Sequence, residues 1–150
     1  MKVPVALALA ATLLGGCTSY MYMSNLTGPK TDLTASLSGA NEVPPSASPG
    51  QGYMTAVYRP TTKVVEWYLH FSQLSGPVTW AYLQGPDGVG NDDAAIVPIN
   101  GPFEGSASRG GATLTDQQAA DLVAGRWSVS IRTEQFPNGE IRGPLVPVKK

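Results

Sequence analysis

The stretch that most constrains the fold is Lys63–Phe71, KVVEWYLHF. Val65, Trp67, Leu69 and Phe71 fall on one side at period two and Val64, Glu66, Tyr68 and His70 on the other, the spacing of a β-strand with one face in a core. Burying Trp67 and Phe71 stabilises by about 2–3 kcal/mol each, which predicts this strand at the centre of the core. The same alternation predicts strands at Leu33–Leu37, Tyr53–Tyr58, Val78–Leu83, Ala95–Ile99, Phe103–Ser108, Trp127–Thr133 and Glu140–Val146. Turn-rich pieces separate them: NEVPPSASPGQG, RPTTK, QGPDGVGNDD and FPNGE. The chain's 17 glycines and 13 prolines favour short strands over long helices, because both residues interrupt helices.

One helix interrupts the pattern. Thr115 followed by Gln118 has capping-box spacing, Ala119, Leu122 and Val123 share a side, and Gly125 is placed to end the element. The sequence therefore predicts an all-β domain over residues 31–150, an antiparallel β-sandwich or barrel with one short helix near 115–124. No internal repeat or second domain is visible.

The first 16 residues read as a signal peptide: Lys2, an uncharged run from Val3 to Leu14, then small residues before Cys17. Leu14-Gly15-Gly16-Cys17 resembles the lipobox of bacterial lipoproteins, in which cleavage precedes the cysteine and its sulfur receives a diacylglyceryl group. The resemblance implies membrane attachment through Cys17, with Thr18 in the next position implying delivery to an outer membrane, facing the periplasm or the surface. With one cysteine no intramolecular disulfide can form, so lipidation also accounts for the thiol. Residues 17–30 read as the lipidated cysteine and its tether. The Tyr-Met-Tyr-Met run within them suits interfacial packing better than copper, which takes more soft ligands than two thioethers.

A formal charge of −1 and the absence of a basic run exclude nucleic acid as an expected partner. Catalysis is not expected either. A serine nucleophile needs a base, the single His70 has no identifiable carboxylate partner, and no G-x-S-x-G or phosphate loop occurs. Asp87, Asn91, Asp92 and Asp93 lack the spacing and terminal glutamate of a calcium loop, and read as a solvated turn. No cofactor is implied.

Three motifs in order, LSGANEVPP (37–45), LSGPVTWAYLQGP (74–86) and LTDQQAADLVAGRWSVSIRTEQFPNGEIRG (114–143), resemble the CHRD domain, the repeated module of chordin that is widespread in bacterial exported proteins. The resemblance implies a secreted all-β domain, immunoglobulin-like or superoxide-dismutase-like, and brings no catalytic mechanism with it. Family members commonly read HIHGP where this chain has Tyr82-Leu83-Gln84-Gly85-Pro86, and HT where it has Arg132-Thr133. Two imidazoles two residues apart on one strand face, with a third from the strand before the final turn, would suit copper or zinc. Here a phenol, an amide and a guanidinium stand in their places, and a guanidinium repels a cation. His70 is the one remaining candidate ligand, and its place on the outward side of its strand is that of a surface residue.

Tyr82, Gln84 and Arg132 are accordingly expected to form a polar, aromatic binding patch, since tyrosine and arginine are frequent in binding surfaces. Glu42, Glu140 and Arg142 are expected to form a structural network fixing the FPNGEIRG hairpin against NEVPP. The sequence as a whole predicts a non-catalytic, lipid-anchored envelope protein that binds a protein or glycan partner. The alternative is a metal-handling or superoxide-dismutase-like protein with an altered site.

Overall fold

The computed structural model describes residues 28–86 and 95–149. The signal segment, Cys17 with its lipobox, the tether up to residue 27 and the acidic loop residues Asp87, Asn91, Asp92 and Asp93 lie outside the described residues.

Among the described residues eight strands form one antiparallel sheet: β1 (Thr31–Ser38), β2 (Gln51–Arg59), β3 (Val64–Ser72), β4 (Val78–Gln84), β5 (Ala95–Ile99), β6 (Ala107–Thr113), β7 (Trp127–Thr133) and β8 (Ile141–Pro147). Their spatial order is β5-β4-β7-β8-β1-β2-β3-β6. The sheet curls until its two edges meet, where the Ser108 hydroxyl donates to the Asn100 carbonyl at 3.5 Å. The result is a nearly closed barrel. Strands β3 and β4 are consecutive in the chain but not neighbours, and the same holds for β6 and β7, so both connections cross a barrel end in Greek-key fashion.

The expected alternation is what fills the interior. Val65, Trp67, Leu69 and Phe71 are buried, as are Leu33, Leu37 and Met54 from β1 and β2 and Val129, Ile131 and Leu145 from β7 and β8. The helix α1 (Asp116–Val123) plugs one end with Leu122 and Ala119. Its Thr115 hydroxyl accepts from the Gln118 amide at 3.2 Å while the Gln118 side chain accepts from the Thr115 amide at 2.9 Å, the capping box foreseen from the spacing.

One strand lies elsewhere than expected. The sixth runs over Ala107–Thr113 and not Phe103–Ser108, because Glu104–Ser106 form a tight 3-10 turn in which Gly105 (φ 61) and Ser106 (φ 71) are left-handed. Its sequence, ASRGGAT, offers no alternating apolar residues. The reason is local: Gly110 pairs with Trp67, and a Cβ there would sit 2.6 Å from the indole Cζ2. The indole covers the strand where a side chain would otherwise do so.

The end opposite the helix is closed by Glu140, which is fully buried. Its Oε1 accepts from the Ser48 hydroxyl at 2.6 Å, the Ser75 amide at 2.8 Å and the Ser75 hydroxyl at 2.7 Å, and its Oε2 accepts from the Thr133 hydroxyl. The Ser46 hydroxyl donates to the Glu140 carbonyl at 2.6 Å. One carboxylate thus ties together the β1–β2 loop, the β3–β4 crossover and the β7–β8 turn. Burial pushes its pKa up, but the hydrogen bonds from Ser48, Thr133 and Ser75 outweigh that and hold it below the ordinary 4.5.

Candidate functional site

The strands β4, β7 and β8 turn Ala81, Leu83, Val129, Ile131 and Ile141 into the core, so the residues between them point out of the barrel. These are Trp80, Tyr82 and Gln84 on β4, Ser128, Ser130 and Arg132 on β7, and Arg142 on β8. An outward residue is ordinarily exposed. Yet Tyr82 is 2% exposed, Gln84 1% and Ser130 1%.

A roof accounts for the burial. The β1–β2 loop lays Glu42, Val43 and Pro44 over this face, and the β7–β8 turn brings Asn138 to the same place. Between roof and sheet is a cavity of about 270 Å³ lined by Glu42, Val43, Pro44, Tyr82, Gln84, Arg132, Asn138 and Arg142. The turn fits closely against the loop: Gly139 has φ 136, and a Cβ on it would lie 2.6 Å from the Glu42 carboxyl. Only glycine serves there on both counts.

The cavity is rich in donors. Arg132 donates from Nε at 3.2 Å and from Nη2 at 3.0 Å to the Tyr82 hydroxyl, whose two lone pairs are thereby engaged and whose remaining capacity is to donate. The Arg132 guanidinium carbon also lies 5.3 Å from the centre of the Trp80 ring and 5.2 Å from that of Tyr82, within cation–π range. Arg142 donates from Nη2 to the Ser128 hydroxyl at 2.8 Å. Glu42 accepts from the Ser130 hydroxyl at 3.0 Å. Burial pushes the Glu42 carboxyl above its ordinary 4.5, with the Ser130 hydrogen bond, Arg142, the Val43 amide and Arg132 pulling the other way.

The structure therefore brings Tyr82, Gln84 and Arg132 together, as walls of a cavity and not as an exposed patch. It divides the expected network: Glu42 and Arg142 share this cavity, whereas the Glu140 carboxylate is held by Ser48, Ser75 and Thr133 at the barrel end. The two acids lie on different sides of the β7–β8 turn because the backbone bends at Glu140 before β8 begins. His70 is far from both in the fold, on the outer surface of β3, stacked on Tyr53 with ring centres 5.2 Å apart. Among the described residues no group of three His, Cys, Asp or Glu side chains is gathered to hold a metal ion.

Sequence reasoning missed Trp80, Ser130 and Asn138. Trp80 carried a signal, since it precedes Tyr82 and Gln84 at period two in TWAYLQ. Ser130 and Asn138 carried none, because each acquires its role from a loop distant in sequence.

Tyr82, Gln84 and Arg132, the positions at which two of the three motifs depart from the common pattern, are thus neighbours in space, on one face of adjacent strands. No curated protein and no solved structure matches the chain. The family model of the CHRD domain matches residues 33–145, nearly the whole barrel, and the chain belongs to the CHRD domain family.

Proposed function

We propose that this is a non-catalytic binding protein of the bacterial cell envelope, held to the membrane by lipid on Cys17, which takes a protein or glycan partner at the roofed face of β4, β7 and β8. The observation that carries the reading is the cavity itself: polar side chains directed away from the core, collected under two loops, with two guanidiniums, a phenol and two amides on its walls. Specific polar groups converging in a concavity are what ligand recognition requires. The neighbouring Trp80, 37% exposed and 4.9 Å from the Tyr82 ring, adds an aromatic surface at its side.

Catalysis would require an activated nucleophile or an acid–base pair placed around a reacting atom. Glu42, the carboxyl of this cavity, faces Ser130, Arg132 and Arg142. That arrangement suits holding a ligand rather than turning one over. For metal handling, Arg132 brings a positive charge to the place where a ligand nitrogen would be needed.

Two experiments test the reading. Labelling of cells with radioactive palmitate is expected to mark the wild-type protein and not Cys17→Ala; equal labelling would refute attachment there. Full-length protein in detergent, immobilised and offered separated envelope proteins and envelope glycans, is expected to retain a partner that Arg132→Gln loses and Thr55→Ala, on the far face, keeps. Equal retention by both variants would remove the cavity from the proposal.

A further inference from the structure

Resting on the lipid anchor proposed above, we infer that the helix end of the barrel is itself a membrane-docking surface, with Val123, Val146 and Val148 set into the lipid headgroup layer and lysines of the same end on lipid phosphates. The topology comes first. β1 starts at Thr31 beside the end of β8, with Leu33 paired to Pro147 and the Val148 amide donating to the Asp32 carbonyl at 2.8 Å. The described chain therefore enters and leaves the barrel at one end, the end that α1 plugs. Cys17 and Gly28 are joined by residues 18–27, which span at most about 40 Å however extended. Lipid on Cys17 thus delivers this end to the membrane surface, and not the end that Glu140 closes.

What the helix end exposes suits that delivery. Val123 at the close of α1 is 42% exposed, Val146 in β8 39% and Val148 just past it 50%. The turn after α1 lies against β8, since a Cβ on Gly125 would sit 3.6 Å from Val146 Cγ1. The same end carries Lys30, Lys63, Arg126 and Lys149. Lys30 is paired with Asp32 at 2.9 Å, Lys63 with Asp116 at 2.6 Å and Arg126 with Asp121, whereas Lys149 has no ion pair among the described residues. Exposed pairs of this kind contribute little in water, so a lysine exchanges its carboxylate for a lipid phosphate at small cost.

Apolar side chains accompanied by long cations are the pattern of a surface that lies in a lipid interface. Three half-exposed valines are too few for a second copy of the chain, because a stable protein interface buries about 800 Å² on each partner. They are enough for a membrane that the anchor already holds within reach, since a short tether raises the local concentration of its target.

The depth of single fluorescent labels in the bilayer decides the matter. Lipidation consumes the Cys17 thiol, so one introduced cysteine takes a nitrobenzoxadiazole label at a chosen place: Val148→Cys at the helix end or Gln135→Cys at the opposite end. The lipidated protein is placed in vesicles of phosphatidylethanolamine and phosphatidylglycerol that carry nitroxide-bearing lipid. The label at position 148 is expected to be quenched about threefold more than the label at position 135. Val123→Glu and Lys149→Glu are each expected to lower quenching at position 148 by about half. Equal quenching at the two positions would overturn the docking. Quenching at position 148 that survives both substitutions would do the same, because the tether alone would then set the depth. A label at position 148 that lipid nitroxide leaves bright, and whose emission shifts as the protein is diluted in lipid, would put a second copy on the valines instead. Palmitate on the wild-type protein with no contrast between the labels sinks the docking and leaves the anchor standing; a wild-type protein without palmitate sinks both.

Discussion

The barrel has two broad outer faces, and they are finished in opposite ways. On β4, β7 and β8 the outward residues Tyr82, Gln84, Ser128, Ser130 and Arg142 are all buried. On β2, β3 and β6 the outward residues Tyr53, Thr55, Glu66 and Arg109 are exposed, with Arg109 lying 4.9 Å over the Tyr68 ring and Glu66 ion-paired to Arg59. Both faces carry tyrosine, arginine and small hydroxyl residues. What separates them is the loop of residues 39–50 that covers one and leaves the other open. A polar side chain survives burial only with hydrogen-bond partners, so the covered face is a connected set of bonds whereas the open one is a row of water-exposed contacts.

From that contrast, damage to the roofed side is expected to be costly and damage to the open side mild. Glu140→Gln should have the largest effect, because it weakens the acceptor that gathers Ser48, Ser75 and Thr133 and with them the foot of the roof. A loss of about 3 kcal/mol is expected, read as a fall of roughly 10 °C in Tm. The wild type should show the same dependence by titration: with its folded pKa below the ordinary value, Glu140 stabilises above pH 4.5 and that stability drains as pH falls toward the folded pKa, whereas Glu140→Gln should lack this term. Thermal melts at a series of acidic pH values measure both.

Arg142→Ala comes next, at about 2 kcal/mol, since it strands the buried Ser128 hydroxyl and removes one of the two cations near Glu42. A double variant with Glu42→Gln should cost less than the sum of the two, and strict additivity would show that the pair does not interact.

Glu42→Gln alone is a smaller change of opposite sign to Glu140→Gln. Its folded pKa is raised, so the wild type loses stability as pH climbs from 4.5 through the folded pKa; the amide escapes that loss and should melt slightly higher near neutrality. A lower melting point there would mean that the carboxylate's bond with Ser130 outweighs its burial. Smallest of all, Tyr53→Ser and His70→Ala on the open face should each change stability by less than about 1 kcal/mol in denaturant titration. A larger loss would erase the contrast between the faces.

The strands were legible wherever one face meets the core, because alternation in VVEWYLHF or WSVSIRT is a direct record of which side is buried. It failed for β6, where Gly110 yields its side-chain space to Trp67 and leaves no alternating trace. The helix was legible from Thr115 and Gln118 because capping is local. The site was half legible. Departures from the family motifs marked Tyr82, Gln84 and Arg132, but nothing local tells that an outward-pointing Ser130 is covered, or that Glu140 parts from Arg142 two residues on. Both depend on how residues 39–50 fold back across the barrel, a contact some ninety residues distant in sequence.

The seam between β5 and β6 has a bearing beyond the site. A sheet that ends in open strands offers unpaired amides and carbonyls to any similar chain, which is how β-proteins begin to polymerise. Here the two ends meet, so each hides the other, and Pro98 in β5 withdraws one amide from that edge altogether. Copies of the barrel are thereby offered less open edge on which to pair, and that protection rests on a closure only one strand-pair wide.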